Sequence, residues 1–418
     1  MASTSIPFGS PLAGKVFGAA VFAEYCSTYS FSNRLTGPAP NLQQAASLLE
    51  KMQTSANYPF VRVTDLSKGD GETLSVDCFN LLEGRPVMGD TRLAGKLMGL
   101  TSSSMDMIIN QIRGGVDSGG RMSQQRTKHN LRVIAKAGLL GWWTRLMDQM
   151  KLVHLAGARG SQNNADWVLP LASDPEFASY LVNGVKAPTY NRHFYAGDAT
   201  ALSNLDTGDY LKLTDLDRLR TLIDEMDNPL QPVKLDGDFA ADEDPLYILL
   251  VSPRVYGNML RQSGTTAIRT FQSGARERGA KNPLFTGTVG LWNGILVKKT
   301  PRTIIEFLSN EVVTTATSAD VYTETTTTVA NLGANYPVHR CLLLGAQAYA
   351  EAFGKDAQSG THIKWHEEMT DHGNVIENSL RSIMGGSKIR FTSKAGATYD
   401  HGVAVIDTVA PAPGVALA

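Results

Sequence analysis

The sequence predicts an α+β protein built round one long helix, with two outlying parts that have no core of their own. Three observations carry this reading. Residues 122–157 hold the longest uninterrupted helical signal. Residues 59–118 hold strand signals on either side of a glycine-containing tip, and residues 1–58 are turn-rich. The remainder mixes buried strands with single helices, so strands and helices are interspersed and do not alternate regularly.

The helical stretch repeats apolar groups at Leu131, Ile134/Ala135, Trp142, Leu146, Met150 and Val153, the steps of one helix face. Ser123 can cap its start and Gly157 can supply the left-handed stop. At ~1.5 Å per residue the rod is about 50 Å long. Gly138 and Gly141 predict a bend or a close crossing in its middle. Its charge is one-sided: no Asp or Glu occurs between Ser118 and Leu146, where Arg121, Arg126, Lys128, Arg132, Lys136 and Arg145 lie. Such a face is either simply solvated, or it meets phosphate or an acidic neighbouring subunit. Of the adjacent pair Trp142 and Trp143, one ring should enter the core and the other a contact surface.

At 418 residues the chain can bury a large core in two or three lobes. A formal net charge of −1 excludes strong nucleic-acid binding by the molecule as a whole and leaves only local patches. Cys26, Cys78 and Cys341 are far apart and form no CxxC, which fits free thiols in a reducing compartment. The apolar run at 16–23 faintly resembles a secretory core but has only eight residues and a single positive charge before it, so a signal peptide is not expected; nothing approaches the ~20 residues of a membrane span, and no membrane partner is expected.

Taken in order, residues 1–58 read as an arm, with a helix at 42–52 and the proline-broken LTGPAP at 35–40. This arm should lie across another surface and not pack a core of its own. PFVRVTDL alternates as a strand. The stretches at 72–82 and 104–116 pair as an extended hairpin around the glycines of 83–103. A lone two-stranded ribbon is marginal in water, so it requires a partner. Residues 158–213 are poorly periodic. Thr214–Met226 reads as a helix capped by Thr214, with Asp217 at the capping-box position. An acidic loop at 236–245 leads into the buried strand LYILLV, and Ser252–Pro253 opens a helix after it, a β–α step. Asn293–Gly294 marks a tight hairpin. The threonine-rich 314–328 is an exposed hairpin or loop. RCLLL followed by AQAYAEAF reads as a second β–α step closed by Gly354, and 388–392 and 403–409 are strands before a loose tail.

No catalytic, cofactor-binding or metal-ligating residue emerges. GSPLAGK at 9–15 lacks the hydroxyl of a phosphate loop and has no strand before it. His362, His366, Glu367, Glu368, Asp371 and His372 form the best metal candidate; His362 and His366 would share a helix face. Yet HExxH fails at Thr370, and the segment reads as solvated and polar. No G-x-S-x-G elbow occurs, and Cys341 opens an apolar run as a core residue would.

The order of arm, long hairpin, long helix, mixed lobe and returning strands resembles HK97-like major capsid proteins of tailed bacteriophages. LTGPAP (35–40), GRMSQQRTKHNLR (120–132), NPLFTG (282–287), LLGAQA (343–348) and GGSKIRF…YDHGVAVIDT resemble the branch known from short-tailed phages. The resemblance implies an N-terminal arm at 1–58 and an extended E-loop at 59–118 that reaches over a neighbouring subunit. It implies a peripheral domain beginning at 119–242 with the spine helix 122–157, an axial domain at 243–370, and a peripheral return with C-terminal tail at 371–418. It implies a coat protein that self-assembles into hexamers and pentamers of an icosahedral shell around double-stranded DNA. Scaffolding, portal and decoration proteins would be its partners, and assembly in the host cytoplasm would end in the virion head. Arg126, Lys128, Arg132 and Lys136 would face DNA or a neighbour's acidic loop such as 236–244, the latter being preferred. Arg85, Arg92 and Lys96 mark the E-loop tip, where some relatives cross-link a lysine to an asparagine. The rivals are an encapsulin-like compartment shell, a metal-dependent hydrolase using 362–372, and a tail or adhesion protein.

Overall fold

The structure is a computed structural model that describes residues 30–38, 53–66, 73–79, 85–99, 101–126, 131–235, 238, 243–262, 265–278, 289–300, 303–319, 321–354, 362–393, 396–412 and 414–415. Two sheets and one helix organise the described residues. The seven-stranded sheet runs in the order His193–Tyr195, Val403–Val409, Val338–Leu344, Tyr247–Val251, Ile295–Lys299, Val289–Trp292, with Glu306–Phe307 added beside Val338–Leu344. Its central strands are continuous apolar runs because both faces are covered. Helices Leu213–Asp224, Pro253–Gln262 and Thr265–Arg278 lie by one face, packed on Tyr247, Leu249, Ile295, Cys341 and Ile406. The other face, through Ile248, Leu250, Leu342 and Val405, joins the main core with the rod.

The five-stranded sheet is built on the 14-residue strand Val375–Lys388. Asn110–Gly120 pairs along one edge of it, and Ile363–Thr370 and then Tyr349–Gly354 pair along the other, all antiparallel. Phe60–Leu66 closes the sheet in parallel with Tyr349–Gly354. The rod, Leu131–Ala156, packs across this sheet.

The rod differs from expectation in instructive ways. The helical run starts at Arg121, whose N–H donates to Asn374 O at 3.1 Å, so Ser123 lies inside the segment Arg121–Arg126 and is no cap. Residues 127–130 lie outside the described ones. The single apolar face holds only near the N-terminus. From Leu146 to Ala156 nearly every side chain is buried, including Gln149, Lys151 and His154, because both sheets wrap this end. Among the described residues nothing approaches Gly138 or Gly141 closely. The tight approach is on the facing strand, where a Cβ on Gly114 would lie 2.4 Å from the Trp142 ring. Trp143 is fully buried and Trp142 half-buried against that glycine. Gly157 does end the helix, at φ +66°, its N–H on Val153 O at 2.9 Å.

Other elements fall as expected or are corrected. Ser252 Oγ accepts from Val255 N at 3.2 Å and opens the helix after the buried strand. Asn293 and Gly294 take the left-handed conformations of a tight hairpin turn, and the threonine-rich stretch forms the hairpin Val312–Ala316/Glu324–Thr328. The helix expected from Thr214 begins at Leu213, and its cap is the Lys212 N–H donating to Asp215 Oδ2 at 2.8 Å. Asp217 instead accepts from Trp292 Nε1 at 3.0 Å. The second β–α step is wrong: Tyr349–Gly354 is a fully buried strand, held by partners far away in sequence. The described part of the arm is not coreless either. Phe31, Leu35 and Tyr58 sit in the main core, and Phe31 meets Phe60 edge-on at 6.2 Å. The helix expected at 42–52 lies outside the described residues. Nor do the sheets divide the chain at 242 and 370. Tyr349–Gly354 and Ile363–Thr370 belong with Val375–Lys388, while Val403–Val409 returns to the seven-stranded sheet.

Candidate assembly surfaces

The extended ribbon is Thr73–Phe79 paired with Ser102–Ile108 in unbroken antiparallel register. It is shorter than expected, because Phe60–Leu66 and Asn110–Gly120 join the five-stranded sheet. Alternation gives its base one apolar face: Leu74, Val76 and Cys78 pack with Met107, Ala350, Ala352, Ile389 and Phe391. Asn183 clamps the base, accepting from Ile108 N at 2.9 Å and donating to Ile108 O at 3.0 Å. Beyond the base, the described tip residues 85–99 are almost wholly exposed. Arg85, Arg92 and Lys96 stand there beside Met88 and Leu97, which are 77% and 75% exposed. Apolar groups this open make the described tip a candidate interaction surface.

Among the described residues, the rod's cations do not converge on one site. Arg132 Nε pairs with Glu367 Oε1 of its own chain at 2.6 Å, and Arg121 donates to Gly373 O at 3.0 Å. Lys136 is half-buried and Arg145 exposed. The side chain of Arg126, and the whole of Lys128, lie outside the described residues. In the acidic loop, Asp238 and Asp244 are engaged by Arg278 of the same chain. The metal candidate at 362–372 is a strand, not a helix. His366 and Glu368 are exposed there, 3.8 Å apart, and His362 Nδ1 lies 3.4 Å from Gly354 O.

What sequence reasoning missed is three buried charge clusters at the seams between elements. Glu351, fully buried, receives Arg62 Nε at 2.5 Å and Lys151 Nζ at 2.7 Å, joining two strands to the rod. Burial pushes its carboxyl up, but the two cations outweigh that and hold it below the usual range. Asp407 takes both Arg340 Nε and Nη2 at 2.8 Å and lies 2.7 Å from His193 Nε2. The same arginine donates Nη1 to Ala156 O at 2.9 Å, satisfying a free carbonyl at the rod's end. Asp400 receives Lys388 at 3.0 Å and Arg390 at 2.7 Å, and accepts from Thr189 N at 3.1 Å. No local pattern announces such clusters, since their members are up to 289 residues apart.

Together the described residues form a two-sheet body, cross-tied by buried ions, that carries a ribbon with an exposed tip, a layout suited to a shell subunit. The comparisons agree. The phage capsid protein family matches residues 5–412, and the chain belongs to that family. It is 26% identical over 381 residues to the major capsid protein of Pseudomonas phage KPP25, covering 84% of this chain and 87% of that protein. Among solved structures, the capsid of Ralstonia phage GP4 matches with TM-score 0.69 and 26% identity, over 99% of this chain and 100% of that one. The capsid asymmetric unit of cyanophage Pam1 matches with TM-score 0.58 and 16% identity, over 98% and 100%. The protein is a phage major capsid protein of HK97-like fold, a structural component of the virion head.

Proposed function

We propose that this chain works by assembly and not by turnover, forming the hexamers and pentamers of a closed icosahedral shell around double-stranded DNA. The carrying observation is the exposed apolar and basic tip at 85–99, which its own chain leaves uncovered among the described residues. Identical neighbours supply the missing cover by symmetry, in contacts of the large obligate class. In this reading the five-stranded sheet with the rod is the peripheral domain, the seven-stranded sheet with its helices is the axial domain, and the ribbon is the E-loop. Arg126, Lys128, Arg132 and Lys136 are the candidates for contact with DNA or a neighbouring subunit. The internal Arg278 pairs make the 236–244 loop a poorer acidic partner than the sequence suggested. Assembly takes place in the host cytoplasm with scaffolding, portal and decoration proteins supplied separately.

Negative-stain microscopy of the expressed protein, alone and with scaffold candidates, tests the reading. Closed shells or capsomers are expected, and a stable lone monomer under all conditions refutes it. Nuclease treatment of particles should leave protected DNA; protected cargo protein would instead indicate a compartment shell. Reversing Arg126 and Arg132 to Glu should lower particle yield or DNA content, and unchanged values remove the role given to those residues.

A further inference from the structure

The strand Asn110–Gly120 is paired on one side. Among the described residues its strand partner is Val375–Lys388 alone, in unbroken register from Asn110 to Asp117. Over residues 112–117 the other edge therefore turns backbone N–H and C=O groups outward, among the described residues. An open edge is a template for another strand, and natural edges are blunted by prolines, lysines or bulges. This strand has neither proline nor lysine, and its register shifts only beyond Asp117.

Its side chains are disposed symmetrically about Gly115. Alternation sends Gln111, Arg113, Gly115 and Asp117 to the exposed face of the sheet. Ile112, Gly114 and Val116 go to the face of the rod, where half-buried Trp142 lies on Gly114. Arg113 and Asp117 are the only charged residues of the strand, and they flank Gly115 at equal spacing. In its own sheet each has a direct cross-strand neighbour of its own sign, Arg381 and Glu377. Two such strands laid antiparallel about a two-fold axis at Gly115 set each Arg113 opposite Asp117 of the other copy. Opposite charges directly across a strand pair stabilise it, and the symmetry makes the match twice. The same register sets Val116, 38% exposed in the subunit, opposite Gly114 of the other copy, beside the Trp142 ring. Any other antiparallel register separates Arg113 from Asp117. We propose that Asn110–Gly120 is a self-pairing edge whose partner is the same strand of a second copy, joining two five-stranded sheets across a two-fold axis. The inference rests on the shell-forming reading above and names a contact separate from the ribbon tip.

Cysteine trapping in particles of the full-length chain tests it. With Arg113→Cys and Asp117→Cys together, thiols of different copies come within disulfide range, Cα atoms roughly 4.4–6.8 Å apart. Within one copy the two positions are ~13 Å apart along the strand, at ~3.3 Å per residue. Mild oxidation should give a dimer on a non-reducing denaturing gel from the double variant and none from either single variant, whose like positions are equally far apart across the axis. Charge exchange is the second readout. Arg113→Asp and Asp117→Arg should each lower particle yield about fivefold, since two symmetry-related pairs turn repulsive together, and the double exchange should restore it. Melting of unassembled variants near the wild-type midpoint establishes that they fold, both positions being exposed; where one set of variants fails to fold, the other decides. Particles of the double cysteine variant without the dimer, or single reversals that assemble as the wild type does, overturn the edge pairing and leave the shell reading standing. A wild-type chain that forms no particle overturns both.

Discussion

Replacing Glu351 by Gln isolates the charge cluster that ties the rod to both its strands. In the native chain one carboxylate is shared by Lys151, 1% exposed, and Arg62, 8% exposed, so the trio carries a net +1. Glu351→Gln leaves two buried cations facing a neutral amide and raises the net charge to +2. Removing one partner of a buried pair in this way costs about 3–5 kcal/mol. Lys151→Met is the informative contrast. It removes one desolvated ion, leaves Arg62 with Glu351 at net zero, and should cost at most about 2 kcal/mol. Guanidinium unfolding of unassembled subunits at matched concentration measures both, with unchanged slopes showing that the same surface is exposed. The double variant should fall well short of the sum, because its members share one network. If Lys151→Met costs as much as Glu351→Gln, the carboxylate is not the hub of the cluster, and the argument from uncompensated charge is wrong.

Four further outcomes follow from the geometry. Gly157→Ala should lose about 1–2 kcal/mol for the left-handed backbone, and more from its Cβ, which would sit 2.6 Å from Lys186 O; a denaturation midpoint checks it. Gly114→Ala should cost about 1–3 kcal/mol by overpacking against Trp142, and Trp142→Ala in the same chain should relieve the clash, leaving the pair less than additive in unfolding experiments. Burial lowers His154 to about 4 and His401 to about 4, so both are neutral in the fold and bind fewer protons than the unfolded chain below about 6.5. Stability should therefore fall as pH drops from 6.5 to 4, by up to about 3 kcal/mol for each. Asp148, raised by burial to about 6, works the other way, losing stability as pH rises from 4 to 6; Asp148→Asn should steepen the acid limb of a melting profile and His154→Gln should flatten it. Met88→Ser with Leu97→Ser should change subunit stability by less than about 0.5 kcal/mol while reducing particle yield on sedimentation, since the tip is exposed in the subunit.

Much of the fold was legible where local chemistry decides it. Ser252 before Pro253, Asn293 before Gly294 and the glycine at 157 each impose a backbone geometry that tertiary context did not override. The ribbon was legible because alternation of Leu74, Val76 and Cys78 survives without a helix to interfere. AQAYAEAF was misread for the converse reason. Its alanines and aromatics suit a helix as well as a strand, and the choice falls to Phe60–Leu66, nearly three hundred residues upstream, which pairs with it in parallel. The rod's stripe failed past Leu146 because a helix end enclosed by two sheets has no solvent face to keep polar. There Lys151 and His154 are interior residues, although their types would place them outside. The segments Lys364-x-His366-x-Glu368, Glu377-x-Ser379-x-Arg381 and Arg113-x-Gly115-x-Asp117 each alternate visibly. Only the register shows that like charges lie abreast.

The placement of the buried ions suggests why the body tolerates a ribbon with an exposed tip. Each cluster bridges elements that hydrophobic packing alone would let slide: Glu351 joins the rod to two strands, Asp407 joins the rod's end to the seven-stranded sheet, and Asp400 joins the loop at Thr189 to the strand below the ribbon base. Apolar contacts are non-directional, so they fix area more than register. A bidentate arginine on a buried carboxylate fixes position and orientation together. Hydrophobic replacements of such ions are often as stable or more so, and the clusters are therefore better explained by geometry than by stability. If the tip engages a neighbour as proposed, small rotations at the base become large displacements at the end of the ribbon. The Asn183 clamp and the Lys388/Arg390–Asp400 cluster stand where such a rotation would be resisted. Loosening either should spoil assembly before it spoils folding: Asn183→Ala should lower particle yield several-fold at a subunit midpoint shifted by less than about 2 kcal/mol. Equal loss of yield and stability would return the clamp to an ordinary structural contact.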